Sequence, residues 1–222
     1  MFLGIEIGGT KLQIGVGQGQ STELVEIVRA DVVPGDGAAG ILQQIRQLGC
    51  QLATRHPIQR VGIGFGGPVD SAQGRVIKSH QIQGWDNFHL AQWCHEAFDT
   101  PVRLGNDCDC ATLAEARFGA GQGRQTVFYV TVGTGVGGGC VQDGKLLGRG
   151  RPAISEIGHL RPGLHADSPD ATVESVASGW GIAAAAQRLV TGEVMHRFPS
   201  IDREDAALSA VELQRRLADA RE

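Results

Sequence analysis

The sequence predicts an α/β protein, and three observations predict it. Runs that alternate apolar and polar residues are interleaved with stretches whose apolar residues recur every three or four positions. Glycines are many, 33 in 222 residues, and aromatics few, which suits loops that approach ligands through the backbone and any loop-rich α/β enzyme alike. A unit of strand, glycine turn and strand occurs twice, on opposite sides of the glycine-rich stretch 119–123. That length suits one large domain or two small lobes; with 119–123 as the hinge, the lobes are 1–118 and 119–222.

The chain opens on the first unit. Leu3, Ile5 and Ile7 alternate with Phe2, Gly4 and Glu6, and Leu12, Ile14 and Val16 alternate with Gln13 and Gly15, the period of two expected of a hairpin. Between the arms, Gly8 and Gly9 free the turn from Cβ constraints and leave backbone N–H groups and the Thr10 hydroxyl open to an anion. It is not a P-loop, because Lys11 follows the Thr and what comes next alternates like a strand. A plain structural hairpin would use the same glycines.

Residues 23–33 read as a third strand, ended by Pro34-Gly35-Asp36-Gly37. A helix follows with Ile41, Ile45, Leu48 and Leu52 on one face and Pro57 just past its end. Residues 59–65 form a short β-rich run closed by Gly66-Gly67-Pro68-Val69-Asp70, a ligand loop or a solvent loop. Gly84-Trp85 precedes a helix carrying Leu90, Trp93 and Phe98, and residues 101–104 are a buried-strand candidate running into Gly105-Asn106-Asp107. Residues 111–118 are helical. Beyond the hinge, 126–132 is a strand, 133–139 a second glycine turn, and residues 140–142 and 145–147 a hairpin around Asp143-Gly144. The remainder is helical: Ile182, Ala185, Ala186 and Leu189 share one face, as do Ala210, Leu213, Leu217 and Ala220, with a loop over 191–200 between.

Asn106-Asp107 sits where a strand ends and a helix opens. An ionised Asp there can accept a hydroxyl proton and the Asn can hold a neighbouring hydroxyl, although the pair also suits an ordinary N-cap. Glu156 and His159, three residues apart, can grip vicinal hydroxyls or stay solvated. Cys108 and Cys110 are too closely spaced for a common zinc half-site and fit buried thiols better. His165, Asp167 and Asp170 make a polar loop of the kind any surface carries, although it could bind a cation. The net charge of −4 gives no general attraction to nucleic acid or an anionic membrane. No stretch resembles a signal peptide or membrane span, and five cysteines without framework spacing fit reduced thiols, so a cytoplasmic location is expected.

In order, the motifs are Gly4-Ile-Glu-Ile-Gly-Gly-Thr-Lys11, Gly67-Pro-Val-Asp70, Gly84-Trp85, Pro101 to Asn106-Asp107, Gly133-Thr-Gly-Val-Gly-Gly-Gly139, Asp143-Gly-Lys145, Glu156-Ile-Gly-His159 and Glu174-Ser-Val-Ala-Ser-Gly179. From residue 3 to about 183 the chain resembles the ROK family of bacterial sugar kinases and sugar-responsive repressors. The resemblance implies a two-lobed ribonuclease H-like (actin-like ATPase) fold, with ATP phosphates and a hexose in the cleft and Mg²⁺ on the phosphates. It implies that Gly8, Gly9, Thr10 and Lys11 form the first phosphate loop and Gly133, Thr134 and Gly135, within 133–139, the second. Asp107 would be the general base for the sugar's primary hydroxyl, and Gly67, Asn106, Glu156, His159 and Glu174 would hold the others. Lobe closure would exclude water as a competing acceptor. A homodimer is compatible with this family.

Three departures qualify the resemblance. Glu6 stands where many members have an Asp that acts on Mg²⁺ through water. The stretch 160–173 lacks the family's zinc-binding cysteines, so zinc is expected to be absent. Relatives also continue well past residue 222, through part of the adenosine site, so the second lobe reads as truncated. The repressors carry a winged helix ahead of the first phosphate loop, which here starts at residue 8, so a repressor of the usual kind is not expected. The leading expectation is an ATP-dependent hexose 6-kinase, glucokinase-like. The alternatives are a sugar-binding protein without kinase activity and a kinase that uses polyphosphate. Which hexose is bound is not legible in the sequence.

Overall fold

The computed structural model describes residues 1–79, 81–148, 154–161, 163 and 169–191. The N-terminal alternation forms β1 (Phe2–Ile7) and β2 (Lys11–Gly17), and the third run forms β3 (Leu24–Asp31). After a single 3₁₀ turn at Pro34–Asp36, α1 (Gly37–Arg55) buries Ala38, Ile41, Ile45, Gly49 and Leu52 on the face its periodicity marks. Then come β4 (Arg60–Phe65), the two-residue strands β5 (Val69–Asp70) and β6 (Arg75–Val76), α2 (Leu90–Phe98) and β7 (Val102–Asn106).

One five-stranded sheet results, in the order β3-β2-β1-β4-β7, with β1, β2 and β3 antiparallel and β4 and β7 running parallel to β1. The parallel crossovers are supplied by α1 and α2, as such connections require. Leu3, Ile5 and Ile7 of β1, Leu12, Ile14 and Val16 of β2, and Val61, Ile63 and Phe65 of β4 are at most 2 % exposed and share a core with both helices. Each such side chain contributes about 1.5–3 kcal/mol relative to leaving it in water. Phe98 of α2 packs directly on Gly49 of α1, where a Cβ would come within 2.6 Å of its ring. Trp85 is buried and meets Phe65 and Phe88 edge-on, with ring centroids 5.2 and 5.5 Å away.

The next helix, α3 (Asp107–Phe118), opens at Asn106-Asp107 as expected and takes in the helical stretch 111–118; Asn106 caps it, its Oδ1 accepting the Asp109 N–H at 3.1 Å. It seats on the opposite face of the sheet from α1, over Gly64 and Gly105. A Cβ at Gly64 would lie 3.6 Å from Asp107 Cα and one at Gly105 2.9 Å from Cys110 Sγ.

A second sheet has the order β10-β9-β8, from β8 (Thr126–Val132), β9 (Val136–Gln142) and β10 (Lys145–Leu146). The β9–β10 turn is as expected, with Asp143 and Gly144 both at positive φ. The second glycine turn is shorter than 133–139: only residues 133–135 turn, and Gly137, Gly138 and Gly139 lie inside β9. Those glycines serve packing. A Cβ at Gly137 would sit 2.6 Å from Cys108 Sγ, and one at Gly139 would take the place of the Thr112 Oγ1 hydroxyl, so α3 lies directly against the strand.

Last come α4 (Val173–Ala177) and α5 (Gly179–Thr191). The expected apolar face of α5 begins at Ile182, which is 56 % exposed, so periodicity there does not report burial among the described residues. Of the expected loop over 191–200, Thr191 instead ends α5 and the rest lies outside the described residues, as do the helix bearing Ala210, Leu213, Leu217 and Ala220, and His165 and Asp167. By its internal packing the chain divides into Met1–Thr131 with Gly137–Ile157, and Val132–Val136 with Gly158–Glu222; the 119–123 stretch falls inside the first unit. No helix among the described residues is long and apolar enough to cross a membrane.

Candidate functional site

In the first unit, β1, β4 and β7 are parallel and end in register, Ile7 beside Phe65 and Phe65 beside Asn106. Their carboxyl ends therefore deliver three loops to one edge of the sheet, where open α/β sheets bind ligands. From β1 comes the Gly8–Lys11 turn, closed by Gly8 N–H donating to Lys11 O at 3.0 Å. From β4 comes Gly66-Gly67, with Gly66 N–H donating to Ile7 O at 2.8 Å. From β7 comes the capped start of α3.

Gly66 is where these loops converge. A Cβ there would lie 3.3 Å from Asp107 Oδ2, 3.3 Å from Ile7 O and 3.7 Å from Gly8 Cα. The Asp107 carboxylate thus stands beside the first glycine turn with no side chain between them. Its Oδ1 accepts the Cys108 N–H at 2.8 Å, which fixes the rotamer and leaves Oδ2 on the Gly66 side. Asn106 works in both directions: Oδ1 caps α3, and Nδ2 donates to Gly67 O at 3.2 Å, tying the β4 loop to the β7 end. The capping role and the placement beside Gly67 coexist in one side chain.

Negative charge gathers at this helix start. The Cys108 thiol is pushed up to about 12, by burial first and then by the charges of Asp107, Glu156 and Asp109. Glu156 therefore belongs to the same neighbourhood as Asp107. Burial, then the charge of Asp107, pushes the Asp109 carboxyl above its usual range.

One row of paired residues crosses all five strands: Arg29 opposite Gln13, Gln13 opposite Glu6, Glu6 opposite Gly64, and Gly64 opposite Gly105. Residues so paired point to one face, the face on which α3 begins. The row is hydrogen-bonded, with Arg29 Nε donating to Gln13 Oε1 at 2.6 Å and Gln13 Nε2 donating to Glu6 Oε2 at 2.9 Å. Glu6 Oε1 accepts from no described group. Among the described residues no three His, Cys, Asp or Glu side chains form a metal cluster. A single steadied carboxylate fits Mg²⁺, which keeps most of its waters and takes its remaining ligands from substrate phosphates.

The second unit carries the other glycine turn. Gly133 N–H donates to Gly135 O at 2.9 Å, the Val136 N–H donates to Glu174 Oε2 at 2.9 Å, and Gly179 N–H donates to Gly133 O at 2.7 Å. His159 ends a 3₁₀ turn (Ile157–His159) and is exposed.

Of the expected site residues, Gly8, Gly9, Gly67, Asn106 and Asp107 meet at the end of the first sheet, with Glu156 near Cys108; Glu174 meets the turn 133–135. Sequence reasoning missed Gln81, whose side-chain Oε1 occupies the place of a Cβ at Gly9. It lies in an irregular loop with no periodic signal. Gln13 was legible only as an outward strand position, and pairing alone reveals what it holds.

A model of the ROK family matches residues 2–220. The chain is 32 % identical over 161 residues to a beta-glucoside kinase of Listeria innocua, covering 71 % of this chain and 53 % of that protein. It superposes on a ROK family glucokinase of Streptomyces griseus, solved with glucose and AMPPNP, with a TM-score of 0.72 and 31 % identity over 86 % of this chain and 61 % of that one. It also superposes on an inorganic polyphosphate/ATP-glucomannokinase of an Arthrobacter strain, with a TM-score of 0.68 and 29 % identity over 83 % of this chain and 70 % of that one. The chain spans about half the length of the curated relatives it matches. The mixed α/β fold expected from the sequence is the one these solved structures share with it.

Proposed function

The chain belongs to the ROK family, and from that membership we propose that it phosphorylates a hexose at its 6-hydroxyl, with ATP as donor and Asp107 as general base. The observation that carries this reading is the convergence at Gly66, which leaves the Asp107 carboxylate beside the first glycine turn without an intervening side chain. Phosphoryl transfer asks for positioning and charge stabilisation more than for covalent chemistry. A carboxylate held by a backbone N–H at one oxygen keeps the other for the proton of the attacking hydroxyl.

The remaining roles follow the donor sets. Backbone N–H groups of Gly9 and Thr10 in the first unit, where the Gly8 N–H closes the turn on Lys11 O, and of Thr134 and Gly135 in the second, are assigned to phosphate oxygens, together with Lys11. Glu6, steadied by Gln13, is assigned to Mg²⁺ through water. The ion, when bound to the phosphates, supplies neutralisation of their charge. Gly67, Asn106, Glu156, His159 and the second oxygen of Glu174 are assigned to the sugar's other hydroxyls. These offer both donors and acceptors, as vicinal hydroxyls require.

Similarity to a polyphosphate/ATP-glucomannokinase favours one second reading, in which polyphosphate replaces ATP at the same turns. A screen of glucose, mannose, fructose and their N-acetylated amines against ATP and polyphosphate, with calorimetry for binding, tests both. Sugar 6-phosphate formed from ATP is the expected result, and product from polyphosphate alone moves the donor. Sugar binding without transfer from either donor overturns the kinase reading and leaves a sugar-binding protein.

A further inference from the structure

We propose that Glu174 is the positioning residue of the second glycine turn and that it sets the affinity of the chain for the phosphates of its donor. This rests on the assignment of that turn to phosphate. It adds to Glu174 a role that the sugar-binding assignment does not contain.

The turn 133–135 is gripped at both of its ends by one stretch of chain. At its start the Gly179 N–H donates to Gly133 O at 2.7 Å. At its end the Val136 N–H donates to Glu174 Oε2 at 2.9 Å, a charge-assisted bond. A Cβ at Gly135 would lie 2.6 Å from Glu174 Oε2, so the carboxylate is seated against the turn and a side chain there would have to displace it. A Cβ at Gly158 would likewise meet the Val136 carbonyl, which brings the turn's exit down onto the chain from the other side.

Glu174 is itself held. It is the second residue of α4, whose start is closed by a reciprocal cap: Ser175 N–H donates to Thr172 Oγ1 at 3.2 Å and Thr172 N–H donates to Ser175 Oγ at 3.0 Å. The Val173 N–H donates to Leu160 O at 2.7 Å, and after the helix the Ser178 hydroxyl accepts the Gly181 N–H at 3.1 Å. The carboxylate is thus presented from an anchored backbone.

The consequence concerns the two N–H groups between the grips. With the Gly133 N–H turned inward to Gly135 O, and the Val136 N–H taken by Glu174, those of Thr134 and Gly135 donate to no described group. They are the donors left for an anion, and their direction is set by where the turn's ends are tied. Releasing one end lets them reorient, and preorganisation of the phosphate donors is lost.

The test separates this role from sugar binding alone. Glu174→Ala and Glu174→Gln are compared with wild type for Kd of Mg²⁺–AMPPNP and of inorganic tripolyphosphate, and for KM of donor and sugar. Glu174→Ala is expected to weaken both phosphate probes about 10-fold or more. Glu174→Gln, whose carbonyl still accepts the Val136 N–H, is expected to restore both to within about 3-fold. Gly135→Ala, which displaces the carboxylate while keeping it, is expected to behave like Glu174→Ala and serves if that variant fails to fold. Raised sugar KM with phosphate affinity unchanged in Glu174→Ala and Gly135→Ala overturns the proposal. Binding of the probes is read without turnover, so wild type that binds them yet transfers no phosphoryl group overturns the kinase reading while the comparison here stands.

Discussion

Replacing Asp107 with Asn removes the base while leaving the architecture around it. The Asn Oδ1 can still accept the Cys108 N–H that Asp107 accepts at 2.8 Å, so the rotamer is kept. The helix start loses a favourable negative charge, worth about 0.3–1 kcal/mol, and gains relief of repulsion on Asp109 and Cys108, whose ionisation the charge of Asp107 opposes. These terms oppose each other, and the net change in stability is expected to stay within about 1 kcal/mol. Catalysis has no such offset. An amide cannot take the proton of the attacking hydroxyl, and a positioned base contributes about 10²–10⁴-fold, or roughly 3–5 kcal/mol of barrier. A coupled assay of sugar-dependent ADP release should show at least a 100-fold fall in kcat, while calorimetric sugar affinity and the thermal midpoint remain close to wild type. A variant that keeps more than about a tenth of the wild-type rate, which is worth only ~1.4 kcal/mol, would show that another group accepts the proton.

Two further predictions test the frame that holds this carboxylate. Gly139→Ala places a methyl where the buried Thr112 hydroxyl stands and disturbs its 2.6 Å bond to Cys108 O, so overpacking and an unsatisfied hydroxyl should together cost about 2–5 kcal/mol in a urea titration. A change below about 0.5 kcal/mol would mean that α3 does not lie so close to β9. Asp109 carries a pKa raised in the folded state, so the native chain holds its proton more tightly than the unfolded one. Its contribution to stability is therefore lost as pH rises from the ordinary carboxylate range through the raised folded pKa. Asp109→Asn should be more stable than wild type at neutral pH, with the difference opening across that window. Parallel stability curves at every pH would refute the shift.

The two glycine turns show how far local pattern reaches. The first was legible because apolar alternation on both sides fixes where β1 and β2 stop, and Gly8-Gly9 must fill what remains. The second was set too long because Gly137, Gly138 and Gly139 look like turn residues in isolation. Their reasons are neighbours distant in sequence: Cys108 and Thr112 of α3 leave no room for a Cβ at Gly137 and Gly139, and Ser155 O would lie 2.8 Å from one at Gly138. At the start of α3 the cap signal of Asn106 was visible, and only the tertiary structure shows that the same side chain also donates to Gly67 O.

By itself the sequence determined the longer strands, the α1 face, the carboxylate at a strand end and the family, because each is written in short-range periodicity or in the order of motifs. Tertiary structure alone decided which groups meet. The parallel register of β1, β4 and β7 brings Ile7, Phe65 and Asn106 level, and so carries Asp107 to the first glycine turn across about 100 residues of chain. The same register lines up Arg29, Gln13 and Glu6, turning three unrelated outward positions into one hydrogen-bonded support. Periodicity says which face a residue takes; only the pairing of strands says what stands beside it.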